Sequence, residues 1–473
     1  MKKILIISII GLLILSGIGA GGFTQKAVPQ SKNTDAYDMV IIAPNAFSSQ
    51  IQPLITHKNT YGVQTFLKTT EDIYSEFSGR DQPEKIKYFI KSSIENNSIK
   101  YVLIIGGLID NTNEWYVPVR YVELDDGAGQ GIYFISDLYY ADIYKNGDEF
   151  EDWDLNGDDI IAQWPKDKFD LEPDVCIGRL PCRTTGEVNT VVGKIISYET
   201  NTNGQPWFNN MVTIGGDTFP TYTGYEGEVT CDYAADYMVG FNITRLYYSL
   251  GTLTSSADVI SAINSGCGFL LTRGKGGTDR IRVPRTDGTE IIALQNDEID
   301  KLTNKDKYPV MVLGECIHGK FDMIKKKAKG YYSVMFKILN YLIELFKKLT
   351  GKSNPINEVE PAAVLNECIA WKLVNQKDGG GIAVLTNTHI CYAAIGDANS
   401  NGIPDDVEKF GGFLAVETFR LYSEEEMDIL GEIHSTAIKN YIPANPVNTD
   451  KIHCKSVLEW TIIGDPSLKI GGY

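Results

Sequence analysis

Tyr101-Val-Leu-Ile-Ile105, closed by Gly106-Gly107, is the stretch on which the reading of the fold turns. An apolar run this short, without polar alternation and ended by glycine, reads as a strand buried on both faces. Working back, Pro83 to Asn96 places Ile86, Phe89, Ile90 and Ile94 at helical spacing, and Tyr37-Asp-Met-Val-Ile-Ile-Ala43 is a second buried strand. Strand, helix and strand in this rhythm form βαβ units. The chain is therefore expected to be α/β with mostly parallel strands.

The rhythm continues forward. Connections accumulate Gly, Pro and Asp from 107 to 175, and Glu187 to Tyr198 is a helical pattern that Gly204-Gln-Pro206 breaks. A boundary there divides an N-terminal α/β subdomain, 37–205, from a C-terminal one, 206–473. In the second, strands are expected at Met211–Ile214, Thr244–Tyr248, Gly268–Thr272, Tyr308–Leu313 and Gly381–Leu385. Helices are expected at Glu226–Met238, Ser255–Asn264 and Ala362–Val374. Ligands of open α/β sheets bind beyond the carboxyl ends of strands, which directs attention to Thr272 and Leu313.

With 473 residues, 43% hydrophobic and 22% charged, the chain is long enough for substantial cores. A formal charge of −17 argues against nucleic-acid binding, because a phosphate backbone repels an acidic surface. Lys2 and Lys3 precede an apolar run, Ile4 to Leu15, followed by small residues up to Ala20. This is the pattern of a signal peptide over residues 1–22, with a retained anchor as the competing reading. Either places the body outside the cytoplasm, secreted or held at the cell surface. The basic amphipathic segment 325–352 suits packing on the domain, with membrane contact as the alternative. Eight cysteines lie scattered without a CxxC pair, which disfavours structural zinc and leaves any disulfide pairing open.

Asp397-Ala-Asn-Ser-Asn-Gly-Ile-Pro-Asp-Asp-Val-Glu408 has the spacing of an EF-hand-type calcium loop. Asp397, Asn399, Asn401, Asp405 and Glu408 offer side-chain oxygens, Ile403 its carbonyl, and Gly402 allows the sharp turn. Flanking helices are not evident, so a structural Ca²⁺ site is expected rather than a sensor. A weaker echo, Asp152-Trp-Asp-Leu-Asn-Gly157, sets Asp152, Asp154 and Asn156 at the first three ligand positions but has Gln163 where the last carboxylate belongs. It reads equally as an acidic turn.

Around Cys316 the sequence is Tyr308-Pro-Val-Met-Val-Leu-Gly-Glu-Cys-Ile-His-Gly-Lys-Phe-Asp322, which presents a thiol at a strand's carboxyl end. A nucleophilic cysteine needs that access and a neighbour that lowers its pKa. The competing reading is a small buried hydrophobe. His318, two residues on, shares a face with Cys316 if the backbone stays extended.

Six motifs, in order, are similar to landmarks of the gingipain-type cysteine peptidases. They are Tyr139-Tyr-Ala-Asp142, Asp152-Trp-Asp-Leu-Asn-Gly157, Pro173-Asp-Val-Cys-Ile-Gly-Arg-Leu-Pro181, Cys316-Ile-His-Gly-Lys-Phe321, Glu367-Cys-Ile-Ala-Trp371 and Ile463-Gly-Asp-Pro-Ser-Leu468. The resemblance implies a caspase-like three-layer α/β/α fold in two consecutive subdomains, a nucleophile at Cys316 and protein or peptide substrates. It also implies a catalytic His in Gly-His-Gly after an earlier strand, where this chain has Gly274-Lys-Gly276. Lys275 stands at the His position. The expected chemistry is thus attack by Cys316, with His318 or Lys275 handling charge and proton, and the Gly274 and Gly276 amides cradling the oxyanion. A catalytically inactive binding module with the same fold is the alternative.

Overall fold

A computed structural model describes residues 36–110, 112–127, 132–145, 147–323 and 367–473. The expected signal peptide and the basic segment 325–352 lie outside them. Among the described residues, no helix is long and apolar enough to cross a membrane.

Among the described residues, ten strands form one sheet. From one edge to the other they are Asn242–Tyr247, Asn210–Gly215, Phe269–Arg273, Val310–Leu313, Ala383–Asn387, Trp460–Ile463, Cys176–Leu180, Tyr101–Ile105, Met39–Ala43 and Thr65–Thr69. Met39–Ala43, Tyr101–Ile105 and Val310–Leu313 are buried along their whole length, as their unbroken apolar runs require. Segments from both sides of residue 205 thus share one sheet.

Trp460–Ile463, which the periodicity did not reveal, is the joint. It runs antiparallel to Ala383–Asn387 and parallel to Cys176–Leu180, so strand direction reverses at the middle of the sheet. The carboxyl ends of Phe269–Arg273, Val310–Leu313 and Ala383–Asn387 consequently lie together at one edge of the C-terminal half.

Helices flank the sheet. Ser48–Thr60, Thr185–Asn201 and Ile369–Asn375 pack as one group, and Glu226–Tyr237, Phe410–Glu424, Leu430–Ala444 and Lys451–Leu458 as another. Helix starts carry local signals: at the head of the helix Gln82–Asn97 the Asp81 carboxylate accepts the Glu84 N–H at 3.0 Å, and Thr184 with Glu187 forms a capping box before Thr185–Asn201. Small hairpins, Tyr121–Glu123 with Tyr133–Ile135 and Tyr144–Lys145 with Glu149–Phe150, fill part of the expected connection.

Arg179 is fully buried beneath this connection. Its Nε and Nη2 donate to the two Asp137 oxygens at 2.6 and 2.8 Å, and its remaining donors reach the carbonyls of Gly106 (3.0 Å), Val117 (2.9 Å) and Pro118 (3.2 Å). A charge removed from water persists when every donor is matched. Arg179→Met strands Asp137 and three carbonyls, and is expected to cost about 3–5 kcal/mol in denaturant unfolding. A loss below about 1 kcal/mol would contradict that role.

Candidate active site

The nucleophile strand Val310–Leu313 ends in Gly314-Glu315-Cys316, and Cys316 opens on a cleft of about 440 Å³. Lys275, Arg282, Glu315, Cys391 and Tyr392 also line it. Lys275 begins a small antiparallel sheet, Lys275–Gly277, Arg280–Pro284 and Glu290–Gln295, placed directly after Phe269–Arg273. Gly276 is locked against the nucleophile: a Cβ there would lie 1.9 Å from the Cys316 carbonyl oxygen and 2.7 Å from its nitrogen. Only glycine fits so close an approach.

Cys391, from the segment after Ala383–Asn387, is the neighbour that the sequence reading missed. Its Sγ is 3.2 Å from the Cys316 Sγ, and its carbonyl oxygen is 3.3 Å from the same sulfur. The Cys391 S–H hydrogen bond, aided by the positive Lys455 and Arg273, draws the Cys316 pKa down to about 7 against the opposing effect of burial. Cys391 moves well upward, because it holds its proton toward Cys316. Position alone gave no signal for this pair, whose members are 75 residues apart.

Glu315 was likewise not singled out. It is fully buried, with Oε2 accepting the Thr272 hydroxyl at 2.5 Å and Oε1 without a hydrogen-bond partner. Burial pushes its carboxyl up to about 7, against hydrogen bonding from Thr272 and the charge of Arg273.

His318 corrects an expectation. Ile317 adopts φ +55°, a left-handed conformation unusual for a β-branched residue, and its N–H donates to the His389 carbonyl at 2.9 Å. The backbone therefore does not stay extended, and the His318 ring is buried outside the cleft lining. Its Nε2 donates to the Arg280 carbonyl at 3.0 Å, and burial lowers its pKa to about 4. His389 is buried against the Phe134 ring at 5.2 Å. None of the five histidines lines the cleft.

Lys275 does line it, with 44% of its side chain exposed and Nζ 3.8 Å from Glu290 Oε1. Gly274 is also at the cleft, and a Cβ there would lie 2.5 Å from the Arg282 carbonyl oxygen.

The two expected calcium loops differ in structure. In the first, Asp397 accepts the N–H of Asn401 (3.1 Å) and Gly402 (2.8 Å), and the side chains of Asn399 and Asn401 meet Glu408 at 2.9 and 2.7 Å. Gly402 takes φ +86°, as the sharp turn requires. Asp405 pairs with Lys409 at 2.8 Å, and the Ile403 N–H donates to Asn401 at 2.8 Å. A helix does follow, contrary to expectation: Asp405–Glu408, then Phe410–Glu424. In the second loop a guanidinium stands on the carboxylates. Arg80 pairs with Asp152, and with Asp154 at 2.5 Å, while Asn156 donates to Asp158 at 3.1 Å.

The model of peptidase family C25 matches residues 32–471. The chain belongs to that family. Curated relatives are gingipains of Porphyromonas gingivalis: Gingipain R2 and Gingipain R1 are each 22% identical over 288 residues, 60% of this chain. Those residues are 32% and 24% of the respective relatives, so the chain aligns with a third of their length or less. The crystal structure of the Arg-specific cysteine proteinase gingipain R superimposes with a TM-score of 0.61 at 18% identity, covering 92% of this chain and 78% of that one. The complex of RgpB pro- and mature domains gives 0.58 at 18% identity, covering 92% and 79%. The fold is accordingly the caspase-like α/β/α arrangement of the gingipain-type C25 peptidases.

Cys391→Ala is expected to return the Cys316 thiol toward the ordinary value of about 8.5. Iodoacetamide labelling at pH 7, read at Cys316 by mass spectrometry, should slow about tenfold. An unchanged pH midpoint for labelling would contradict the role given to the S–H contact.

Proposed function

We propose that this C25 member is an exported cysteine peptidase in which the Cys316 thiolate attacks a peptide carbonyl. The observation that carries the reading is the Cys316 thiol, 3.2 Å from the Cys391 sulfur and facing a cleft at the junction of three strand ends. The sulfur forms a thioester as the peptide C–N bond breaks, and the leaving amine takes a proton; water then hydrolyses the thioester. Amides near Gly274 and Gly276 are the donors proposed for the oxyanion.

The remaining task is proton transfer without a histidine in the cleft. Glu315, adjacent to the thiol with a carboxyl near 7, is the acid proposed to protonate the amine. Lys275 supplies positive charge at the cleft. The alternative, an inactive peptide-binding module, is favoured by the lysine at position 275 and by the burial of His318.

We infer further that Ca²⁺ binds the Asp397–Glu408 loop, whose side chains already converge. Calcium is expected to raise the thermal unfolding midpoint, and Asp397→Ala to abolish that increment. An equal shift in the variant would remove the loop from consideration.

The enzymatic reading makes two pH dependences differ. Alkylation of Cys316 needs the thiolate alone, so it rises as pH increases through about 7 and then levels. Peptide hydrolysis also needs protonated Glu315, which loses its proton over the same interval, so its profile is a bell. Glu315→Gln should reduce hydrolysis by about 10²-fold while sparing alkylation. Absence of cleavage across a peptide library, with no labelling that Cys316→Ala removes, would favour the binding module.

A further inference from the structure

Cys316 and Cys391 set two thiols in one cleft. Their sulfurs are 3.2 Å apart, and both residues line the space of about 440 Å³. A disulfide holds its sulfurs about 2.0 Å apart, so closure needs about 1 Å of movement, which side-chain rotation supplies. The two backbones are already fastened. The Ile317 N–H donates to the His389 carbonyl and the Gly319 N–H to the Asn387 carbonyl, both at 2.9 Å. Backbones tied side by side in this way stand about 5 Å apart, within the span of a disulfide. Cys391 itself lies in the stretch 388–404, which contains no helix or strand, so its side chain can approach without breaking regular structure.

The other six cysteines do not compete for this chemistry. Burial pushes the thiols of Cys176, Cys267 and Cys368 up to about 11, 12 and 12, and those of Cys182, Cys231 and Cys454 upward as well. Cys316 moves the other way, chiefly through the Cys391 S–H. An oxidant entering the cleft therefore meets one ready thiolate with a second sulfur already in contact with it.

We propose that Cys316 and Cys391 are a peroxide-reactive pair that closes to a disulfide. The Cys316 thiolate attacks a hydroperoxide: an S–O bond forms, the O–O bond breaks and the distal oxygen leaves as hydroxide or alkoxide. The sulfur is oxidised by two electrons and the peroxide is reduced. Cys391 then gives up its proton and attacks the sulfenic sulfur; the S–S bond forms, the S–O bond breaks, and the hydroxide leaves with that proton as water. A small dithiol returns two electrons and two protons and restores both thiols. The disulfide takes the nucleophile out of the peptidase reaction proposed above, and its formation does not depend on that reaction. It also spares Cys316 the sulfinic acid, which thiols do not reverse.

Reduced full-length chain is treated with hydrogen peroxide at about pH 9, where a thiol of ordinary pKa is mostly ionised, then blocked with N-ethylmaleimide and mapped by mass spectrometry. A peptide pair joined through Cys316 and Cys391, lighter by two hydrogens, is expected, and dithiothreitol should restore iodoacetamide labelling of Cys316. In Cys391→Ser, whose hydroxyl keeps a hydrogen-bond donor beside the thiol, dimedone should trap the sulfenic acid. After prolonged exposure the labelling that dithiothreitol recovers should be about tenfold lower in this variant, because Cys316 passes on to sulfinic acid. Unreacted Cys316, a cross-link to another cysteine, or equal recovery in the two proteins would overturn the pairing. Peptide hydrolysis is measured separately on the reduced chain, where its absence would count against the peptidase reading and leave the pair standing.

Discussion

The buried guanidinium of Arg273 is the interaction on which the cleft depends. It ends the strand Phe269–Arg273, donates to the Gly314 carbonyl beside the nucleophile, and pairs with Asp406 at 2.5 Å. Asp406 in turn accepts the Thr230 hydroxyl at 2.7 Å and the Ala394 N–H at 3.3 Å. A charge in this position is tolerable when all these partners are present. The strand end, the helix Glu226–Tyr237, the segment carrying Cys391 and the start of Asp405–Glu408 must therefore assemble together. The same charge that fastens them favours a thiolate at Cys316.

Arg273 also gives a physical link between the Asp397–Glu408 loop and the thiol. Asp405 and Asp406 are neighbours within that loop, the first accepting the Ala398 N–H and the second pairing with Arg273. Order in the loop is order in the partner of the guanidinium. A second restraint acts from the other side, where Gly276 presses on the Cys316 backbone and Ile317 is held in a left-handed turn by the His389 carbonyl. Left-handed backbone at a β-branched residue costs of order 1–3 kcal/mol and persists because its surroundings over-determine it. Here it breaks the extended geometry that would set Cys316 and His318 on one face.

Buried ion pairs recur through an otherwise strongly acidic chain. Lys58 lies between Glu199 and Asp465 at 2.7 and 2.8 Å, and Lys455 contacts Asp126. Lys455 additionally reaches the Ile390 carbonyl, beside Cys391, and contributes to the low pKa of Cys316. Lys58, Lys455 and Arg179 are thus placed inside, where each is matched by carboxylate or carbonyl, whereas the buried Lys87 lies over aromatic rings without a hydrogen-bond partner. Asp142, Glu151 and Glu315 depart from that pattern, each with one buried oxygen that has no hydrogen-bond partner.

The sequence by itself determined the α/β class, the order of most strands and helices, the position of Cys316 at a strand end, and the family. Those properties are local: an apolar run such as Val310–Leu313 buries itself wherever it lies, and the family landmarks are contiguous. Trp460–Ile463 escaped notice because four residues give no period, although its pairing reverses the sheet. Only the tertiary structure decided which groups face the thiol. Cys391, Arg273 and Lys455 act on Cys316 from three remote segments, and one left-handed residue ends the extended backbone before His318, which does not line the cleft. Sequence spacing carries side-chain direction only while the backbone is regular; at the end of a strand, long-range packing sets it.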